Sequence, residues 1–169
     1  MLKPLLISIL LSNPLAPQYF KSVDLNAHTG YQYLRNELGF PSRGAAYLTS
    51  AISHESTWHG TRQWGEVAGD GTNRNGGLIS WASWANAPAR LGAIERHFGT
   101  NIANISEPDQ LQYMLHEMKT RYPYAYEIFM DPNASSEDLQ WAVRRYWGFD
   151  PRYTRNRWVD AERIIQNNS

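Results

Sequence analysis

The run from Ser42 to Glu55, and what comes straight after it, narrows the folds open to this chain more than any other stretch. Pro41-Ser42 is a helix start signal with Ser42 as candidate N-cap, and Ala45-Ala46-Tyr47-Leu48-Thr49-Ser50-Ala51-Ile52-Ser53-His54-Glu55 follows without a breaker. That predicts a helix of about four turns. Residues 60–77 are the opposite in character: glycine-rich and polar, with Asp70, Thr72, Asn73 and Asn75, a composition that makes tight turns or a hairpin and not another helix. The stretch closes on the apolar run Gly77-Leu78-Ile79-Ser80-Trp81.

At helical spacing Leu48, Ile52 and Glu55 fall on one stripe, so Glu55 stands where an apolar residue is expected. Two readings follow. A carboxyl facing a core is pushed toward its protonated form, which suits a general acid at neutral pH. Alternatively, it is a structural carboxylate, hydrogen-bonded to a nearby loop amide or arginine.

The rest of the chain reads as helices joined by short breaks. Tyr31, Leu34 and Leu38 repeat helically over residues 29–38, and Gly39 supplies a stop. Asn86 with Pro88 opens a helix with Leu91, Ile94 and Phe98 on its apolar face and Gly99 at its end. Ser106-Glu107-Pro108-Asp109 is a variant capping box before the stripe Leu111, Met114, Leu115 and Met118. After Pro123 a short run over residues 124–130 ends at Asp131-Pro132, and Ser135 or Ser136 caps a helix with Leu139, Ala142, Val143 and Tyr146, stopped by Gly148. A last helix over residues 154–165 is expected to bury Trp158, Ala161 and Ile165 and to leave Arg155, Arg157, Glu162 and Arg163 solvated. No convincing strand alternation occurs outside the glycine-rich loop, so the expected fold class is mainly α with a glycine-rich loop or small β-hairpin beside the Glu55 helix.

Several chemistries are excluded. Sixteen basic residues balance sixteen acidic ones, so nothing electrostatic points to nucleic acid as a partner. The absence of cysteine removes disulfides, thiolate metal sites and a cysteine nucleophile. His54 and His59 are five apart, not the four that put two ligands on one helix face, and His28, His97 and His116 are scattered, so no metal is expected. Residues 70–76 look like a calcium loop in composition, yet Arg74 falls at a ligand position. Serine-hydrolase and phosphate-loop signatures are absent, and no cofactor is implied.

Glu55-Ser56, Gly69-Asp70, Gly77-Leu78-Ile79-Ser80-Trp81 and Arg90, in that order, resemble the phage tail lysozymes within the lysozyme-like group. Gln110, Tyr113 and Glu117 fit that family's Gln-Tyr-Glu helix, and the resemblance spans residues 28–166. Ser80 stands where the family usually has Gln, and Tyr146-Trp147-Gly148-Phe149 where an aromatic-Glu-Arg-Pro run is common. The resemblance implies a lysozyme-like helical domain at residues 26–169 that cleaves peptidoglycan between N-acetylmuramic acid and N-acetylglucosamine. Glu55 is then the general acid. Glu66 and Asp70 are candidates for a second carboxylate, with Asp70 the better match to the family's Gly-Asp; as a plain Asp-Gly dipeptide Asp70 is equally a turn residue. Trp58, Trp64, Ser80 and Tyr113 are candidate substrate contacts, and Trp81 is expected beneath the cleft. The setting implied is a virion tail acting on the wall in the host periplasm. The apolar arm at residues 1–25, which resembles a secretory leader only superficially because Pro14 and Pro17 crowd any cleavage site, would pack on its own domain or dock on tail or baseplate proteins. Its seven-residue apolar stretch, Leu5 to Leu11, is too short to span a bilayer. Hydrolase and lytic transglycosylase chemistry both remain open, as does a tail plug or cap that keeps the fold without activity.

Overall fold

The computed structural model describes residues 25–64, 75–82, 90–148 and 154–168. Among them the protein is mainly α, with seven α-helices and a small antiparallel sheet in the order β1-β2-β3. The helices are α1 (Ala27–Asn36), α2 (Ser42–Ser56), α3 (Arg90–Phe98), α4 (Glu107–Arg121), α5 (Pro123–Met130), α6 (Ser136–Trp147) and α7 (Arg155–Asn167). The strands are β1 (Gln63–Trp64), β2 (Asn75–Gly76) and β3 (Trp81–Ala82). Gln63 pairs with Gly76 and Gly76 with Trp81, which brings the two ends of the glycine-rich stretch together. Residues 1–24, including nearly all of the apolar arm, lie outside the described residues, as do Asn86 and Pro88. No helix among the described residues is long and apolar enough to cross a membrane.

Local chemistry accounts for the helix ends. The Asn26 side chain accepts from the His28 and Thr29 amides while the Thr29 hydroxyl accepts from Asn26 N, so α1 begins two residues before the expected Thr29. Ser42 is the first helical residue of α2 and not its cap; Pro41 holds the cap position, with φ −55° and ψ 157°. The Ser42 hydroxyl instead lies 2.8 Å from the Tyr31 hydroxyl and ties α2 to α1. Of the two candidate serines before α6, Ser135 is the cap, in a reciprocal box with Asp138. Ser106 caps α4 through the Asp109 amide, as the sequence indicated.

The apolar pattern of α2 proves broader than one stripe. Every residue from Gly44 to Ile52 is buried, because α1, α5, α6 and α7 all pack around this helix. A helix apolar on all sides is a central core helix, and this one carries Glu55 out of the core at its last turn. Its approach to α5 requires a glycine: a Cβ on Gly44 would sit 2.1 Å from the Phe129 carbonyl oxygen. On α7, Ala161 is fully buried and Trp158 stacks on Tyr47 at 5.9 Å, but Trp158 and Ile165 are only half-buried. Glu162, expected in solvent, accepts from the Tyr47 hydroxyl at 2.7 Å and the Ser136 hydroxyl at 2.7 Å.

Candidate active site

Glu55 stands in the final turn of α2 with its side chain 16% exposed. Of the two readings of the stripe, the partner fits the second: it is a guanidinium and not an apolar wall, with Arg157 Nη2 donating to Glu55 Oε1 at 2.8 Å. Arg157 is 14% exposed and also donates through Nη1 to the Ala51 carbonyl at 3.3 Å, while its own carbonyl accepts from the Ser50 hydroxyl. The expectation that Arg157 is solvated is therefore wrong. The signal was present in the sequence, since Arg157 precedes buried Ala161 by four residues and so shares its face. A helix C-terminus concentrates partial negative charge, and a carboxylate there is disfavoured. Arg157 offsets both, and it leaves Glu55 Oε2 without a hydrogen bond among the described residues.

The chain leaves α2 through a tight, left-handed turn. Thr57 (φ 52°) and Trp58 (φ 63°) are consecutive non-glycine residues in the left-handed region. Such residues are costly and persist only where their surroundings hold them. Here the holding groups are close at hand. The Thr57 amide donates to Ser53 O, the Trp58 amide to Ser56 Oγ at 3.2 Å, and the Trp58 indole N–H to Ser53 Oγ at 2.9 Å. The Trp58 ring, 3% exposed, lies over Gly30 of α1, where a Cβ would come within 2.1 Å of it. Trp58 is thus the anchor of the turn and not a wall of a sugar subsite. Ring burial against α1 leaves no face for a ligand.

From this turn the backbone reaches Gly60 and then β1. Gln110 of α4, fully buried, holds the segment at both ends: its Oε1 accepts from Leu78 N at 2.8 Å, and its Nε2 donates to the carbonyls of Gly60 and Ile105 at 2.9 Å each. Glu107, one turn earlier, accepts from Gly60 N at 3.0 Å. Residues 77–80 make the turn between β2 and β3, with Gly77 at φ 75° and Ser80 at φ 59°. Leu78, Ile79 and Trp81 are all buried.

Beneath this turn lies a charged centre. The Glu117 carboxylate, wholly enclosed, accepts from Arg90 Nε at 2.8 Å and Nη2 at 2.6 Å, from the Trp81 indole N–H at 3.1 Å and from the Tyr146 hydroxyl at 2.7 Å. Burial opposes the Glu117 charge, but Arg90, Tyr146 and Trp81 outweigh it and hold the carboxyl below the usual carboxylate range. Burial likewise opposes the Arg90 charge and is outweighed by Tyr146 and Glu117, so Arg90 is held more firmly protonated. The Tyr146 hydroxyl, enclosed and beside Glu117, is pushed well above the ordinary phenol value. Trp81, Arg90 and Glu117, which the sequence reading carried as separate motif positions, are one hydrogen-bonded unit joining β3, α3 and α4.

The remaining candidates fall in different places. Tyr113 is 8% exposed; its ring packs edge-on to Trp81 at 6.1 Å and against His97 at 5.2 Å, and burial, then the charge of Glu117, raises its phenol above the ordinary value. It is chiefly a packing residue of α4. His97 and His116, distant in sequence, are exposed and stack at 5.9 Å. Ser80 is partly exposed, so of the proposed substrate contacts whose side chains are described (Trp58, Ser80 and Tyr113) it is the one that stands open to a ligand. Glu66 and Asp70 lie outside the described residues, as does the side chain of Trp64. Among the described residues no group of three or more potential ligands could hold a metal ion. Two surface hollows, of about 660 Å³ beside Arg96 and Asn101 and about 300 Å³ beside His28 and Tyr31, are not lined by Glu55. Volume alone does not locate chemistry. The carboxylate in the larger hollow is Glu95, whose Oε1 accepts from Ile102 N at 3.2 Å.

No protein family, curated protein or solved structure matches this chain.

Proposed function

We propose that the chain is a lysozyme-like, peptidoglycan-cleaving enzyme in which Glu55 is the acid. The observation that carries this reading is the placing of Glu55: a partly exposed carboxyl at the exit of the central helix, one oxygen fixed by Arg157, with the left-handed Thr57 and Trp58 just beyond Ser56 and locked by Ser53, Ser56 and Gly30. Strain held in place beside a titratable side chain is a recurrent mark of functional sites.

The chemistry follows from what a glycosidic bond needs. Glu55 gives its proton to the bridging oxygen as the bond from that oxygen to the anomeric carbon of N-acetylmuramic acid breaks, and positive charge builds on the sugar ring. Asp70 then activates a water for attack on that carbon. Where no second carboxylate serves, a hydroxyl of the same sugar closes on the anomeric carbon and returns a proton to Glu55, giving an anhydro end. The Arg157 contact is also what a purely structural carboxylate would show, so activity is the deciding observation. By resemblance the enzyme is a tail lysozyme carried into the host periplasm by a phage particle, with tail proteins as partners of residues 1–25.

Digestion of purified peptidoglycan with mass analysis of the products tests the proposal. Release of disaccharide units that keep their peptide stems supports it, and reducing or anhydro ends choose between water and the sugar hydroxyl. Freed peptides with uncut glycan, or no release at all, would refute it and leave the inactive plug or cap.

A further inference from the structure

The Glu107 carboxylate joins two amides that are far apart in sequence. Its Oε1 accepts from Gly60 N at 3.0 Å, and its Oε2 accepts from Leu25 N at 2.6 Å. Gly60 is the point at which the chain, having left the Glu55 turn, starts toward β1, and its carbonyl is taken by Gln110 one turn further along α4. A Cβ on Gly60 would lie 2.6 Å from Glu107 Cγ and 3.0 Å from Gln110 Nε2, so α4 grips this peptide unit closely from both sides. Leu25 is itself buried and leads directly into the cap of α1 at Asn26. Glu107 is not needed to close its own helix, because Ser106 already caps α4.

We propose that Glu107 is a positioning residue for the site, and that it works by coupling: the same carboxylate that sets the Gly60 peptide is oriented by the backbone arriving at Leu25. A carboxylate that accepts from two backbone N–H groups is fixed in direction by both, and loss of either bond loosens the other, since each charge-assisted bond restricts the rotation that would break its neighbour. The backbone at Leu25 therefore bears on the lie of the loop that follows Glu55. The catalytic part of this inference rests on the proposed reaction; the coupling itself does not.

The test is amide hydrogen exchange on the full chain, read at Gly60 and at residues 75–82, in wild type, Glu107→Gln, Leu25→Pro and Leu25→Ala. Leu25→Pro removes the N–H and the leucine side chain and fixes φ, whereas Leu25→Ala removes only the side chain, so their difference reports the loss of the N–H together with the proline constraint. Coupling predicts that Gly60 exchanges faster by about tenfold or more in Glu107→Gln, and several-fold faster in Leu25→Pro than in Leu25→Ala, while residues of α5 and α6 keep their protection. Equal Gly60 exchange in the two Leu25 variants would overturn it, and so would a rise in exchange spread evenly over all helices. In protein that cleaves glycan, Glu107→Gln should lower kcat more than it changes KM; an unchanged kcat with exposed Gly60 would overturn the positioning role and leave the coupling standing. Absence of activity in wild type would refute the reaction without touching the exchange result.

Discussion

Replacing Glu117 by Gln keeps the volume and removes the charge, and the structure gives the size of the effect. Arg90, whose side chain is 8% exposed, would lose its bidentate partner and keep its charge inside the protein. The Gln amide can replace only one oxygen, and its NH2 group would face the donor-only Arg90 or Trp81 indole, or make the Tyr146 hydroxyl turn round to accept. Breaking a buried pair on one side costs about 3–5 kcal/mol. At a urea slope of about 2 kcal/mol/M the unfolding midpoint should fall by roughly 1.5–2.5 M, followed by tryptophan fluorescence with Trp81 itself as a reporter. The pH dependence has a definite sign. Glu117 is held below its ordinary value of 4.5 in the folded protein, so its contribution is fully present above that value and is lost as pH falls through the folded one. The gap between wild type and Glu117→Gln should therefore shrink in that acid window. A midpoint shift below about 0.5 M at neutral pH, or a gap that widens on acidification, would refute the view that this cluster holds β3, α3 and α4 together.

Two further substitutions probe the surroundings of Glu55. Gly30→Ala gains helix propensity on α1, but its methyl meets the Trp58 ring at 2.1 Å; a net loss of about 1–3 kcal/mol is expected in thermal unfolding, and a stabilised variant would show that Trp58 does not brace the turn. Arg157→Ala frees Glu55 Oε1 and removes the bond to Ala51 O between α2 and α7; about 2 kcal/mol, or roughly 4–8 °C in Tm, should be lost, and an unchanged Tm would mean that the pair is no more than a surface contact.

Helix positions were legible in the sequence because they depend on local chemistry. The cap at Ser106 and the apolar faces of α4 and α6 are written in neighbouring residues and appear where they were expected. The errors at Thr29 and Ser42 both fall at helix starts, where an earlier residue holds the cap position: Asn26 before α1 and Pro41 before α2. Asn26 takes the α1 cap while Thr29 serves it from inside, and Ser42 is drawn to Tyr31. The site was harder to read. Glu55 could be singled out from its stripe, but its partner is 102 residues away, and a charged residue on an amphipathic helix is read as solvated unless the opposing surface is known. Trp58 failed for a similar reason. An aromatic residue beside a catalytic candidate suits sugar and core equally, and only the bare backbone of Gly30 on another helix decided between them.

The central claim is that Glu55 supplies a proton to a glycosidic oxygen, and the most direct measurement is the rate of glycan release from purified peptidoglycan by wild type and Glu55→Gln at equal concentrations of folded protein. The substitution preserves shape and removes the transferable proton, so the rate should fall by about 10²–10⁴-fold while the unfolding midpoint stays close to that of wild type. A Glu55→Gln protein that cleaves within a few-fold of the wild-type rate would contradict the claim.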